Sequence, residues 1–381
     1  MRNKSDKLNI AMLGQKRIPS REGGIEIVVE ELSTRMVQTG HSVTCYNRLG
    51  HLISGKEFDG DSPEEYKGIK LREVFTIQRR GFAAVTSSLS GAIHAAAGRY
   101  DVVHFHAEGS CVMLWLPRLL GKRCIVTVHG LDWQRAKWKG FARRYIKFGE
   151  KMAVKYADEI IVLSESARRY FWNTYGRKTV FIPNGVNRPA VRAAERIKEV
   201  YGLDKDSYIL FLGRLVPEKG IVCLIEAFRN VHTDKKLVIA GGSSDTAEFV
   251  QHLKTLAKGD KRILFTGFVQ GRILEELYSN AYVYCLPSEL EGMSLSLLEA
   301  MSYGNCCLVS DIAECTEVVE DKALVFKKAD ISDLRQKLQY VCSHGETVRK
   351  LKDQASDYIC RKYNWDDVTR RTLELYQKQM K

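Results

Sequence analysis

Two glutamates, Glu291 and Glu299, flank what reads as the mouth of a helix in the segment PSELEGMSLSLLEAMSYG (287–304). An apolar strand-like run precedes it and a helical pattern follows. Gly292 allows close backbone approach, and Ser294 or Ser296 can cap the helix. The amides around Met293, Ser294 and Leu295 then lack intrahelical partners. Such an end carries partial positive charge and suits a phosphate. Glu299, one turn inside, can accept hydrogen bonds from the hydroxyls of a ribose beside that phosphate, and Glu291 lies in the turn before. A capped helix with two surface glutamates is the plain alternative. A second cluster, GRLVPEKG (213–220), follows another apolar run and holds Arg214 and Lys219 in a loop opened by Gly213. A planar guanidinium fork and a mobile ammonium together neutralise a diphosphate and stabilise charge as it leaves. The plain alternative is a solvated basic loop. His129 ends the run CIVTVHG (124–130), where a satisfied strand-end histidine is the simpler reading.

These residues need a scaffold that places strand ends side by side. Short apolar runs occur at 7–14, 41–48, 101–106, 124–130, 159–164 and 179–185, with helical stretches at 25–39, 110–120, 139–157 and 165–175. Residues 50–68 read as a polar loop. After the Pro- and Gly-containing IPNGVNRPA (182–190) the alternation restarts, with runs at 208–215, 236–242, 263–268, 281–288, 306–311 and 323–326. Strands alternating with helices predict parallel sheets with right-handed crossovers. The fold class is therefore α/β, with two Rossmann-like doubly wound domains facing each other across a cleft. The expected domains are 1–187 and 188–362, with a helix at 363–381 packing back on the first. Ligands in such sheets bind at the carboxyl ends of the strands.

The chain of 381 residues carries a net charge of +13. Residues 1–190 hold 31 Lys+Arg against 18 Asp+Glu, and 191–381 hold 28 of each, so the whole excess lies in the first half. A one-sided basic domain points to an anionic partner. The ten cysteines show no metal-type spacing and read as free thiols of a reducing compartment. No run of about eighteen apolar residues predicts a membrane-spanning helix, and the N-terminus reads as the lead-in to a strand. The expected location is the cytoplasm, including the inner face of the cell membrane.

The ordered set GRLVPEKG, AGG (240–242), ILFTGFV (263–269) and the Glu-seven residues-Glu segment resembles the retaining glycosyltransferases of family 4, of GT-B architecture. The resemblance extends to REGGIE (21–26), VTVHG (126–130) and IPNGV (182–186) and covers nearly the whole chain. GQKRIPSREGGIEIVVEEL and HGLDWQRAKW are similar to members that build bacterial surface polysaccharides, including rhamnosyltransferase-like ones. The resemblance implies a UDP-, GDP- or dTDP-sugar donor and no required cofactor or metal. It assigns the donor diphosphate to Arg214 and Lys219, and the ribose to Glu299. Glu291, Gly292, Met293, Ser294 and Leu295 hold the sugar and phosphate, Gly213 the turn, and Gly23 and Gly24 the loop that closes on the diphosphate. His129 stands near the reacting centre. Apart from these roles, Glu26, Asp132, Trp133 and Lys137 are expected as acceptor contacts. The DxD matches at Asp59–Asp61 and Asp204–Asp206 sit in polar loops and read as solvated charges.

Eight basic residues between Arg135 and Lys155 alternate with Trp133, Trp138, Phe141, Tyr145, Ile146, Phe148 and Met152. A basic amphipathic helix of this kind suits an anionic membrane surface and a lipid-diphosphate-linked acceptor. An ordinary helix with one packed and one wet side shares the pattern. A nicotinamide dehydrogenase is disfavoured because the first turn lacks GxGxxG spacing. A nucleotide-sugar epimerase of the same fold is the nearer competitor. A nucleic-acid binder would leave the neutral second half unexplained.

Overall fold

The computed structural model describes residues 7–50, 63–79, 81–135, 138–242 and 247–378. The chain divides into two compact units. Unit 1 is Met1–Asn184 together with Trp365–Lys381, and unit 2 is Gly185–Asn364. Lys137 and the Asp59–Asp61 match lie outside the described residues.

Unit 1 is built on β1 (Asn9–Leu13), β2 (Ser42–Arg48), β3 (Glu65–Tyr66), β4 (Ile69–Val74), β5 (Val102–His106), β6 (Arg123–Val128), β7 (Glu159–Val162) and β8 (Val180–Phe181). They form one sheet in the order β3-β4-β2-β1-β5-β6-β7-β8. The central strands are buried along nearly their whole length, as a sheet covered by helices on both faces requires. All pairings are parallel except the last at one edge, where β3 runs antiparallel to β4. Lys67 and Gly68, both with positive φ, make the two-residue turn of that hairpin. The polar reading of 50–68 missed β3, an edge strand of two residues that pairs only with β4, whose IKLREV alternates apolar and charged residues. The chain reverses direction across the sheet between β1 and β5, and ligands gather at such a switch point. The two strand ends touch there. A Cβ on Gly14 (φ +107°) would stand 2.0 Å from the His106 carbonyl oxygen, so no other residue fits.

The helix Trp365–Gln377 completes unit 1. Arg35 Nε bonds Asp366 Oδ1 at 2.7 Å and Arg371 Nη2 donates to Phe181 O at 2.5 Å. The buried Arg123 donates twice to Leu375 O, at 3.1 and 2.8 Å. Tyr376, fully buried, meets His104 Nδ1 at 2.6 Å.

Unit 2 carries a second sheet of β9 (Tyr208–Leu212), β10 (Lys236–Ala240), β11 (Ile263–Gly267), β12 (Val283–Leu286), β13 (Cys306–Ser310) and β14 (Leu324–Phe326), ordered β11-β10-β9-β12-β13-β14. Every pairing is parallel. Its switch point lies between β9 and β12, the strands that lead into the two sequence clusters. Ile209, Phe211, Val283 and Cys285 pack one face of these strands into the core beneath them. All ten cysteines are free thiols. No helix among the described residues is long and apolar enough to cross a membrane.

Candidate active site

The loop after β9 and the loop after β12 are locked together in unit 2. Gly220 (φ +65°) lies so close to Pro287 that a Cβ would stand 2.0 Å from its carbonyl oxygen. The Glu289 amide donates to Glu218 O at 2.9 Å. Across this junction Lys219 Nζ bonds Glu291 Oε1 at 2.5 Å, and the Ser288 hydroxyl donates to the same oxygen at 2.7 Å. The lysine stem folds back over its own loop, so that a Cβ on Gly213 would lie 3.9 Å from Lys219 Cε. Gly213 itself has no positive φ and room for a Cβ, so the tight turn depends on Gly220 rather than on Gly213. Arg214 is half-buried in the same loop, and its carbonyl accepts from Val216 N at 3.0 Å.

The helix Leu295–Ser302 starts at this junction. Ser294 is its N-cap, with Oγ accepting from Leu297 N at 3.4 Å, which decides between the two candidate caps. Ser296 Oγ instead contacts Ser294 Oγ at 3.0 Å and accepts from Tyr284 OH at 2.8 Å. The first-turn amides, Leu295 and Ser296, have no intrahelical acceptor by helix geometry, and Gly292, Met293 and Ser294 are buried beside them. Glu299 is half-buried and its Oε2 accepts from Tyr278 OH at 3.1 Å. One junction thus gathers Arg214, Lys219, Glu291, the Gly292–Leu295 turn and, one helical turn on, Glu299. An ammonium, a guanidinium and a helix N-terminus at one strand-end crevice can hold a diphosphate. Asp204 pairs with Lys198 at 2.8 Å and Asp206 with Lys352 at 2.5 Å, so this DxD match serves loop packing.

The unit 1 candidates sit at the carboxyl end of its sheet. Gly23 is the N-cap of the helix Gly24–Gln38 in extended backbone. Glu26 is buried, and its Oε1 accepts from Lys16 N at 2.8 Å, tying down the loop after β1. His129 follows β6 and is half-buried, with Nε2 3.0 Å from Nδ1 of His106 on β5. Burial lowers the His129 pKa to about 4, with Asp132 acting the other way and Arg135 reinforcing the drop. A neutral imidazole at working pH follows. A proton NMR titration of His129 should show no inflection between about pH 5.5 and 8, where an unperturbed histidine titrates.

Sequence reading missed the group behind this loop. Glu108, fully buried, accepts from Asp132 N at 2.9 Å. Glu150, also fully buried, accepts from Trp133 Nε1 at 3.2 Å, from Lys147 Nζ at 3.0 Å, and from the hydroxyls of Tyr170 and Tyr175. Lys147 also lies over the Trp133 ring at 4.0 Å. Asp132 Oδ1 accepts from Arg135 Nε at 2.7 Å. Asp132 and Trp133, expected at the acceptor, are thus held from behind by two buried carboxyl groups. The only trace in the sequence is two isolated acids, Glu108 just after the HFH run and Glu150 inside a basic, aromatic stretch.

Residues 22–188 match the model of Glycosyltransferase Family 4, and residues 193–358 match Glycosyl transferases group 1. The chain belongs to the group 1/family 4 glycosyltransferases. This glycosyltransferase is 25% identical to an uncharacterized glycosyltransferase of Methanocaldococcus jannaschii, over 97% of this chain and 98% of that one. It is 31% identical to the UDP-Gal:alpha-D-GlcNAc-diphosphoundecaprenol alpha-1,3-galactosyltransferase of Escherichia coli, over 56% of this chain and 58% of that one. Its fold is that of the GT-B enzymes. The sucrose-phosphate synthase of Thermosynechococcus elongatus superposes with a TM-score of 0.80 at 20% identity, covering 98% of this chain and 99% of the other.

Proposed function

We propose that the protein is a retaining glycosyltransferase that moves a sugar from a nucleoside-diphosphate donor to a hydroxyl of a lipid-diphosphate-linked glycan, in surface polysaccharide synthesis. The observation that carries the donor side is the 2.5 Å pair between Lys219 and Glu291 at the mouth of a capped helix. Arg214, Lys219 and the helix end bind the diphosphate and stabilise it as it leaves. Glu299 takes the ribose, and Glu291 aims the Lys219 ammonium and contacts the sugar. The acceptor hydroxyl attacks on the face the phosphate leaves, and a departing phosphate oxygen takes its proton. The protein supplies position and charge. His129 touches the transferred sugar, Gly23 and Gly24 border the loop near the diphosphate, and Glu26, Asp132, Trp133 and Lys137 serve the acceptor. A nucleotide sugar and a diphosphoundecaprenol carrier are named for the Escherichia coli relative, which supports this choice of substrates. Proton NMR of the product tests the stereochemistry. An inverted anomeric configuration would end the retaining reading, and a product formed without any acceptor would favour an epimerase.

The helix Gly140–Tyr156 supports docking on an anionic bilayer. Ile146, Gly149, Glu150 and Ala153 are its buried side. The opposite side exposes Phe141 (82%) and Phe148 (50%) together with Arg144, Lys151 and Lys155. The four acids between residues 81 and 156, Asp101, Glu108, Asp132 and Glu150, are all buried or half-buried. Aromatics among cations with no opposing exposed acid match an interfacial helix. Flotation with vesicles rich in anionic lipid should carry the protein, and Phe141→Ala with Phe148→Ala should weaken binding ~10-fold or more. Absence of flotation at moderate salt would remove the membrane from the proposal.

A further inference from the structure

His106 is a buried residue that the proposed transfer reaction does not use. It ends β5 at the switch point of unit 1, and its ring is fully buried. Its Nδ1 lies 3.0 Å from His129 Nε2, while its Nε2 has no hydrogen-bond partner among the described residues. The ring of His104 lies 4.2 Å away, pinned by Tyr376 OH at 2.6 Å and Thr127 Oγ1 at 2.7 Å. Neither His106 nor His129 carries a charge at neutral pH. Burial, then the neighbouring His104 and His129, keeps His106 well below the usual histidine range, and His129 sits at about 4. Each ring therefore holds one proton, and the contact between them needs one donor and one acceptor.

Two arrangements satisfy that contact. If His129 donates from Nε2, His106 must accept at Nδ1 and carry its own proton on Nε2, which buries an N–H with no acceptor. Orphaned buried N–H groups are rare because the lost water bond is not replaced. If His106 donates from Nδ1, its Nε2 holds only a bare lone pair, and the single proton of His129 must lie on Nδ1. The second arrangement is favoured by ~10-fold or more on the cost of an orphan donor.

We infer that His106 is a positioning residue that locks His129 in the Nδ1–H tautomer, so that His129 meets its substrate as a hydrogen-bond donor and not as a base. The inference rests on the proposal that His129 touches the transferred sugar. A donor N–H suits a sugar hydroxyl or phosphate oxygen and leaves the acceptor's proton to the departing phosphate. In sequence the signal was HFH (104–106), two histidines on one face of an otherwise apolar strand.

Nitrogen NMR of the ¹⁵N-histidine-labelled full chain at pH 7 reads the tautomer without substrate. The expected spectrum shows His129 protonated at Nδ1 and bare at Nε2. His106→Asn, whose amide can donate from the place of Nδ1, should keep this tautomer and hold kcat within ~3-fold. His106→Leu should yield a tautomer mixture and lower kcat ~10- to 100-fold, with donor KM changed less than ~3-fold. A His129 protonated at Nε2 in the unaltered protein overturns the inference, as does an unchanged tautomer in His106→Leu. Because the spectrum needs no turnover, these outcomes are separate from any failure of the transferase reading, which would appear as absent donor binding.

Discussion

Lys219→Ala is expected to lower sugar transfer ~10²- to 10³-fold, the usual loss when one preorganised donor to a developing oxyanion is removed. It should also erase most of the melting-temperature rise that a nucleoside diphosphate gives the unaltered protein, since only a ligand that binds the folded state stabilises it. The Lys219 ammonium is only 11% exposed and already aimed by Glu291 and, through it, Ser288. Little reorganisation is needed when phosphate oxygens arrive, and alanine leaves no cation that can take over from the same place. Arg214→Ala should act in the same direction, because the half-buried Arg214 belongs to the same loop. Steady-state kinetics and a thermal-shift series with nucleoside diphosphates check both variants. If each keeps the full ligand-induced shift, the diphosphate binds elsewhere.

The second large effect is on unit 1 itself. Glu150→Ala should destabilise it by ~3–5 kcal/mol, the range for breaking a buried, multiply bonded charge. That corresponds to a fall in Tm on the order of 10 °C. Four donors end on the Glu150 carboxylate, and alanine strands the Trp133 indole N–H and the Tyr170 and Tyr175 hydroxyls together. Burial alone would raise the Glu150 pKa, but hydrogen bonds from Glu108, Tyr175, Lys147 and Tyr170 outweigh it and hold the group below the ordinary range. Glu108 goes the other way. Burial first, then the charges of Asp132 and Glu150, push it well above the ordinary range. Opposite shifts of this kind leave Glu108 neutral and Glu150 ionised at neutral pH. For Glu150 the stabilisation is complete above the unfolded carboxyl range, near pH 4.5, and is lost as pH falls through its depressed folded value. For Glu108 the stabilisation is complete below that range and is lost as pH rises toward its elevated value. Glu108→Gln, neutral and still able to accept from Asp132 N, should cost less than ~1 kcal/mol. Thermal unfolding of the two variants separates them, and equal losses would contradict a neutral Glu108 beside an ionised Glu150.

The contrast between these two sites explains what the sequence could show. The junction proposed to bind the donor stood out because it places unusual residues where strands meet helices: cations at 214 and 219, and a glycine–serine turn between two glutamates. Both fall where an apolar run stops, and the ordered set of family motifs, rather than either cluster alone, singled them out. The carboxyl pair was not legible, because Glu108, Asp132, Glu150, Tyr170 and Tyr175 meet only once β5, β6 and the following helices are packed. Helical periodicity even misdirects here. A charged Glu150 would be placed outward and Phe148 inward, whereas the donors around Glu150 draw it into the core and turn Phe148 to solvent. The parallel sheets followed from strand–helix alternation, apart from the β3–β4 hairpin, whose edge strand is two residues long and whose second strand alternates apolar and charged residues. His106 lay in plain view on an apolar strand, but its partner is 23 residues away.

The docking of the helix Trp365–Gln377 has a consequence for biosynthesis. All of unit 2 is threaded between two pieces of unit 1. The unit that begins first on the ribosome is therefore finished last, and the second can acquire its core while the first still waits for Tyr376 to cover His104 and for Leu375 to receive Arg123. A nascent chain stalled before residue 365 would expose a folded second unit beside an unfinished first one, a natural target for chaperones.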